Sequence, residues 1–177
     1  FTIALSYVIN MSKSLQDLKD AFAGESQANR KYLAFAKQAE KEGFKQVAKL
    51  FKAAAEAETV HAHNHLKAMG GIKDTKANLK AAIEGEHYEF TKMYPEFLAD
   101  SKAEGNKEAE RTFNWANEVE KIHHKLYEAA AEAVETGKDL PEKKIYVCEV
   151  CGMTVEDHAP DKCPVCGAAA SKFKEIA

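Results

Sequence analysis

Between residues 11 and 137 the chain carries one pattern twice. Glu25 is followed 33 residues later by Glu58-x-x-His61, and Glu86 is followed 34 residues later by Glu120-x-x-His123. Positions i and i+3 of a helix are neighbours, so each Glu-x-x-His sets a carboxylate and an imidazole side by side on one face. The stretch that holds them is rich in Ala, Glu, Lys and Leu and contains one proline, Pro95, which is helical composition. Breaks at Gly43, Gly70-Gly71, Gly105 and Gly137 predict four long helices over about 14–42, 44–69, 75–104 and 106–136.

Each predicted helix has the 3–4 apolar spacing of a bundle seam. Each seam is interrupted near its middle by ligand-type groups. The first reads Phe22, Glu25, Asn29, Tyr32; the second Phe51, Ala54, Glu58, His61, His65; the third Glu86, Glu89, Met93; the fourth Ala116, Glu120, His123, Tyr127. Seven metal-ligand types therefore face inward: Glu25, Glu58, His61, Glu86, Glu89, Glu120 and His123. None of the four seams carries Lys or Arg. One unpartnered buried carboxylate costs several kcal/mol; five would overwhelm a net stability of about 5–15 kcal/mol. Two divalent cations bring four positive charges and two trivalent ones six, bracketing the five negative charges. Two Glu-x-x-His helices facing two Glu helices is the ligand plan of di-iron and di-manganese carboxylate bundles. A lone Glu-x-x-His in such a helix is usually surface charge; the duplication singles this pair out.

The neighbouring groups carry weaker expectations. His65 reads as a core or supporting group, and His63, His87, His124 and His158 as solvated. Tyr32 and Tyr94 lie one to two turns from inward glutamates; ordinary core packing is the default, but a phenol there can donate a hydrogen bond to oxygen bound at the site. Pro95 removes a backbone donor and should bend the third helix just past the site.

After "TGKDLPEKK", a linker at about 137–143, the composition changes. The β-branched and aromatic "KIYVCEVCG" predicts a strand entering a metal turn. The chain's four cysteines, Cys148, Cys151, Cys163 and Cys166, form two CxxCG knuckles. This spacing points to a tetrathiolate metal site rather than disulfides, and so to a reducing, cytoplasmic setting. Gly152 and Gly167 permit turns that aim backbone N–H groups at sulfur. Tyr146 and Phe173 are expected to cover the cluster. Taken alone, the tail suits zinc as well as iron. Beside a carboxylate site that must be re-reduced, iron is favoured as a one-electron donor.

With 25 basic and 28 acidic residues spread evenly and a net charge of -3, the chain lacks the concentrated basic face of a nucleic-acid binder. No apolar run approaches the roughly 18 residues of a membrane span, so neither partner is expected. The first ten residues, "FTIALSYVIN", are apolar, precede Met11 and lack the basic n-region and cleavage site of a secretory signal. They read as an extension that could pack on a partner subunit.

The segments "FAGESQANRKY", "AEAETVHAHNH", "EGEHYEFTKMYP", "VEKIHHKLY" and "YVCEVCGMTVEDHAPDKCPVCGA" together resemble the rubrerythrins over about residues 14–175. The resemblance implies an all-α, ferritin-like four-helix bundle at 11–137 and a small C-terminal β-rich, rubredoxin-like metal domain at 138–177. It implies iron ligands Glu25, Glu58, Glu86, Glu89, Glu120 and His123, with His61 near one iron and exchanging with Glu89 as the redox state changes. Softer imidazole suits Fe(II) and hard carboxylate suits Fe(III). It further implies a non-haem di-iron peroxidase that reduces hydrogen peroxide to water. Electrons would come from NADH through an external donor protein or reductase, relayed by the tetrathiolate iron. Homodimers or larger assemblies are implied, with the tail of one subunit near the di-iron site of another. The alternative is a ferritin-like ferroxidase or iron-storage protein, which has no need of an internal electron donor. A zinc-ribbon docking module would leave the inward carboxylates unexplained. The N-terminal decamer departs from the family pattern.

Overall fold

The computed structural model describes residues 12–177, so the expected role of the N-terminal decamer lies outside the described residues. The chain divides into two units, the first ending at Lys73 and the second running Asp74–Ala177.

The first unit is a hairpin of α1 (Lys13–Lys41) and α2 (Lys45–Ala68). Ser12 starts α1, its Oγ accepting the Leu15 N–H, which satisfies one otherwise orphaned donor of the first turn. Gly43 closes the turn between the helices in the left-handed region. The seam is lined by small side chains: Ala36 and Ala39 of α1 and Ala48, Ala55 and Ala62 of α2 are buried, so the two backbones can approach closely. Asn29 crosses this seam, its Nδ2 donating to the Ala55 carbonyl at 2.7 Å and to Thr59 Oγ1 at 2.8 Å. Several large apolar side chains remain exposed, among them Phe35, Phe44, Val47 and Leu50.

In the second unit, α3 (Thr75–Tyr88) and α4 (Tyr94–Ala103) form one rod, joined by a π-helical segment at Glu89–Met93, and α5 (Lys107–Glu135) packs along it. The helix ends fall within one residue of those predicted, but the third helix is not the continuous rod with a kink at Pro95 that the sequence suggests. The irregularity begins earlier, at Glu89, where the Tyr94 N–H reaches back five residues to the Glu89 carbonyl. Pro95 has no N–H with which to bond the Thr91 carbonyl, and the chain accommodates it by widening the preceding turn. Asp74 and Asn106 cap α3 and α5 through their side-chain oxygens.

The rest of this unit is a three-stranded antiparallel sheet of β1 (Ile145–Cys148), β2 (Thr154–Glu156) and β3 (Phe173–Ile176), in the order β2-β1-β3. As predicted, β1 leads directly into the first knuckle. The tail packs on α5: Val119 of that helix is buried with Cys148, Met153 and Cys163, and Ile122, Val155 and Phe173 close around them. Among the described residues no helix is long and apolar enough to cross a membrane.

Candidate metal centres

Among the described residues, three groups of side chains bring metal-ligand atoms within 4.8 Å of one another: Glu25/Glu58/His61 in the first unit, and Glu86/Glu120/His123 and the four cysteines in the second.

The two acid clusters are built alike. His61 Nδ1 lies 2.8 Å from Glu58 Oε2 and 3.9 Å from Glu25 Oε1; His123 Nδ1 lies 2.8 Å from Glu120 Oε2 and 4.0 Å from Glu86 Oε1. In each, the i, i+3 spacing makes the short contact and the adjoining helix supplies the second carboxylate. The carboxylates of Glu58, Glu86 and Glu120 are largely buried, whereas His61 is half exposed.

Electrostatics in the second cluster show the strain of crowded acids. Glu86 is pushed up to about 7, first by burial and then by its hydrogen bond to Glu120 and the charge of that group. Burial, followed by the Glu120 charge, raises Glu89 as well. His123 is raised, chiefly through its hydrogen bond to Glu120. Glu89 does not join the tight group of ligand atoms. Tyr94 lies close enough to sense the charges of Glu89, Glu120 and Glu86, which add to burial in raising its phenol; its ring also stacks near Phe97 and Phe113. Tyr32 sits instead in an aromatic group with Phe35 and Phe51. His124, expected in solvent, is largely buried beside His87 and Phe90, with Nδ1 3.3 Å from Glu128. Both side chains cover it because α5 turns that face toward α3.

A pair of hard carboxylates with one imidazole is a donor set suited to iron or manganese. The raised carboxyls of Glu86 and Glu89 are what a cation among them would relieve. Two buried acceptors, Asn29 Oδ1 and Asn117 Oδ1, have no hydrogen-bond partner among the described residues.

The cysteine site is more regular still. Cys148 and Cys166 sulfurs lie 3.7 Å apart and Cys151 and Cys163 sulfurs 3.6 Å, close to the about 3.8 Å edge of a tetrahedron whose sulfurs sit about 2.3 Å from a central ion. The two knuckles repeat one geometry. Gly152 N–H bonds the Cys148 carbonyl and Gly167 N–H the Cys163 carbonyl, both at 2.8 Å. Both glycines have positive φ, 86° and 78°, which a side chain would strain. The Met153 N–H reaches Cys151 sulfur, the Ala168 N–H reaches Cys166, and the N–H groups of Val165 and Cys166 reach Cys163. Phe173 covers the cluster as expected; Tyr146 instead donates its hydroxyl to Glu175 at 3.1 Å.

Two participants escaped the sequence reading. Val119 looks like any seam residue, yet it fills the core of the cysteine site. Thr154, in β2, places its Oγ1 2.9 Å from His123 Nε2, and no periodicity connects two residues that far apart in the chain.

The family model described as "Rubrerythrin" matches residues 17–131, and that for the "Rubrerythrin, rubredoxin-like domain" matches 146–174. The chain is 38% identical to Rubrerythrin-2 of Clostridium acetobutylicum over 171 residues, covering 89% of this chain and 93% of that one. It is 35% identical to nigerythrin of Nitratidesulfovibrio vulgaris over 170 residues, covering 88% and 83%. Among solved structures it resembles nigerythrin in a partially reduced state, with a TM-score of 0.55, 30% identity, and 99% of this chain and 92% of that one covered.

Proposed function

The chain belongs to the rubrerythrin family, and from that premise we propose that it is a non-haem di-iron peroxidase reducing hydrogen peroxide to water. The observation that carries this reading is the cysteine cluster packed on α5 at Val119, the residue preceding the ligand-type Glu120. An internal one-electron donor serves a site that must be reduced after every turnover; iron storage has no use for one.

In this reading the iron ligands are Glu25, Glu58 and His61 of the first unit and Glu86, Glu120 and His123 of the second, each set offering two carboxylates and an imidazole. Ferrous ions held by these carboxylates and imidazoles would supply the two electrons that, with two protons, convert hydrogen peroxide to two waters. Glu89 stands outside the tight ligand group while still sensing the Glu120 charge, which suits a carboxylate that joins or leaves the metal as the oxidation state changes. Tyr94 keeps its proton, because burial and three neighbouring acids raise its phenol; it can donate a hydrogen bond toward the acid cluster. The four cysteines hold a single iron, and zinc could substitute there structurally without carrying electrons.

The proposal assigns residues 11–137 to the di-iron region and 138–177 to the electron-donor domain. An external protein or reductase, ultimately NADH-linked, reduces the latter. Exposed Phe35, Phe44, Val47 and Leu50 support a homodimer or larger assembly, and four unbridged thiols support a reducing, cytoplasmic setting.

The test is anaerobic. Fully reduced, iron-loaded protein is mixed with hydrogen peroxide while the red thiolate-to-iron colour and the peroxide are both followed. Return of the colour together with peroxide loss that continues under a supplied reductant supports the peroxidase. Uptake and retention of many irons per chain, with no sustained peroxide loss, would replace it with the storage alternative.

A further inference from the structure

In the second unit the first cysteine knuckle is joined by hydrogen bonds to the acid cluster. Thr154, two positions past Gly152, donates from Oγ1 to the Gly152 carbonyl at 3.3 Å, and the same oxygen lies 2.9 Å from His123 Nε2. A hydroxyl has a single hydrogen. Giving that hydrogen to Gly152 leaves Oγ1 to accept from His123 Nε2, the tautomer that frees Nδ1. The ring then turns Nδ1 to the acids, 2.8 Å from Glu120 and 4.0 Å from Glu86. Thr154 is itself held by the tail: β2 pairs with β1, and Met153 beside it is buried with Cys148, Cys163 and Val119.

We propose that Thr154 is a positioning residue for His123. It holds the imidazole proton on Nε2 and leaves the Nδ1 lone pair for a cation, so that metal affinity at Glu86/Glu120/His123 depends on the folded knuckle that supplies Thr154. This rests on the reading of that cluster as a metal site. Groups that fix the far nitrogen of a ligating histidine raise its affinity by setting tautomer and ring orientation in advance. The coupling runs both ways, since linkage between two binding events is reciprocal. Filling the cysteine site folds the knuckle and readies His123; a cation on Nδ1 in turn strengthens Nε2–H as a donor to Thr154 and tightens the tail on α5.

The test uses the full chain loaded at all sites with zinc, a diamagnetic probe, and nitrogen-15 histidine spectra. The wild-type protein should show His123 bound through Nδ1, with an Nε2–H that exchanges slowly with solvent. In Thr154→Val, nearly the same shape without the hydroxyl, that exchange should quicken at least severalfold, and anaerobic Fe(II) affinity should fall about tenfold. Thr154→Ser should restore both. Binding through Nε2, or exchange and affinity unchanged in Thr154→Val, overturns the proposal. The wild-type tautomer alone decides the point if Thr154→Val does not fold. Neither readout involves peroxide, so a chain that meets both yet fails to turn over peroxide overturns the functional reading and leaves this inference standing.

Discussion

The carboxyl of Glu86 is hydrogen-bonded to that of Glu120, and burial together with this acid neighbour pushes Glu86 up to about 7. The helices force this, since packing α3 on α5 brings the two acids together whether or not a cation is present. A carboxyl raised from its ordinary 4.5 to about 7 stabilises the fold fully below about 4.5, and that contribution is lost as pH rises through about 7. His123, also raised, contributes in the same sense: its share is present below 6.5 and lost as pH climbs through its higher folded value. Protein with zinc in the cysteine site and metal-free acid clusters should therefore melt at a lower temperature at pH 8 than at pH 5.5. Adding Fe(II) anaerobically should reverse that order, because the cation displaces the protons. A melting temperature of the metal-free form that rises over this range would contradict the account.

Glu120→Ala removes an oxygen ligand and the partner of both Glu86 and His123. Peroxide turnover should fall by at least about 100-fold, the upper end of the loss expected even for a supporting group. Iron bound outside the cysteine site should drop, while the red cysteine centre keeps its spectrum, because its four ligands and Val119 are untouched. Iron analysis and visible absorption on one sample check both halves.

Cys163→Ser separates the two centres in the other direction. Cys163 is 1% exposed and receives N–H groups from Val165 and Cys166. Its loss should abolish the red centre and loosen the tail, since a metal-held knuckle draws its folding energy from the ion. Pre-reduced protein should still consume peroxide once, whereas sustained consumption with the external donor should fall steeply. Undiminished steady-state turnover would falsify the relay role.

Val119→Ala tests whether docking of the tail on α5 matters. Val119 is 2% exposed and its Cγ1 lies against Gly152. Truncation leaves a cavity in the cysteine core and should cost on the order of 2 kcal/mol, read by denaturant unfolding of the zinc-loaded protein. Electron transfer from reduced cysteine centre to peroxide-oxidised protein should slow as well. A variant with wild-type stability and transfer rate would show that the contact is incidental.

The locally encoded features were open to reading in the linear chain. Helix ends depend on caps and left-handed glycines within a few residues. The side-by-side placement of Glu58 with His61 and of Glu120 with His123 follows from helical pitch alone. The knuckles follow from Cys-x-x-Cys-Gly, whose turns need only their own backbone. The folded structure decided what depends on distant surfaces meeting. His124 is largely covered rather than solvated because His87 and Phe90 pack against it, and the third helix opens at Glu89 because the missing donor of Pro95 is accommodated on its N-terminal side. Glu86 is raised because it is buried against Glu120, and Thr154 meets His123 across 31 positions of sequence. The physical reason is range. Pitch and turn geometry act over three or four residues and are written in spacing, whereas contacts between elements exist only once apolar faces have packed, and one sequence periodicity is compatible with many such partners.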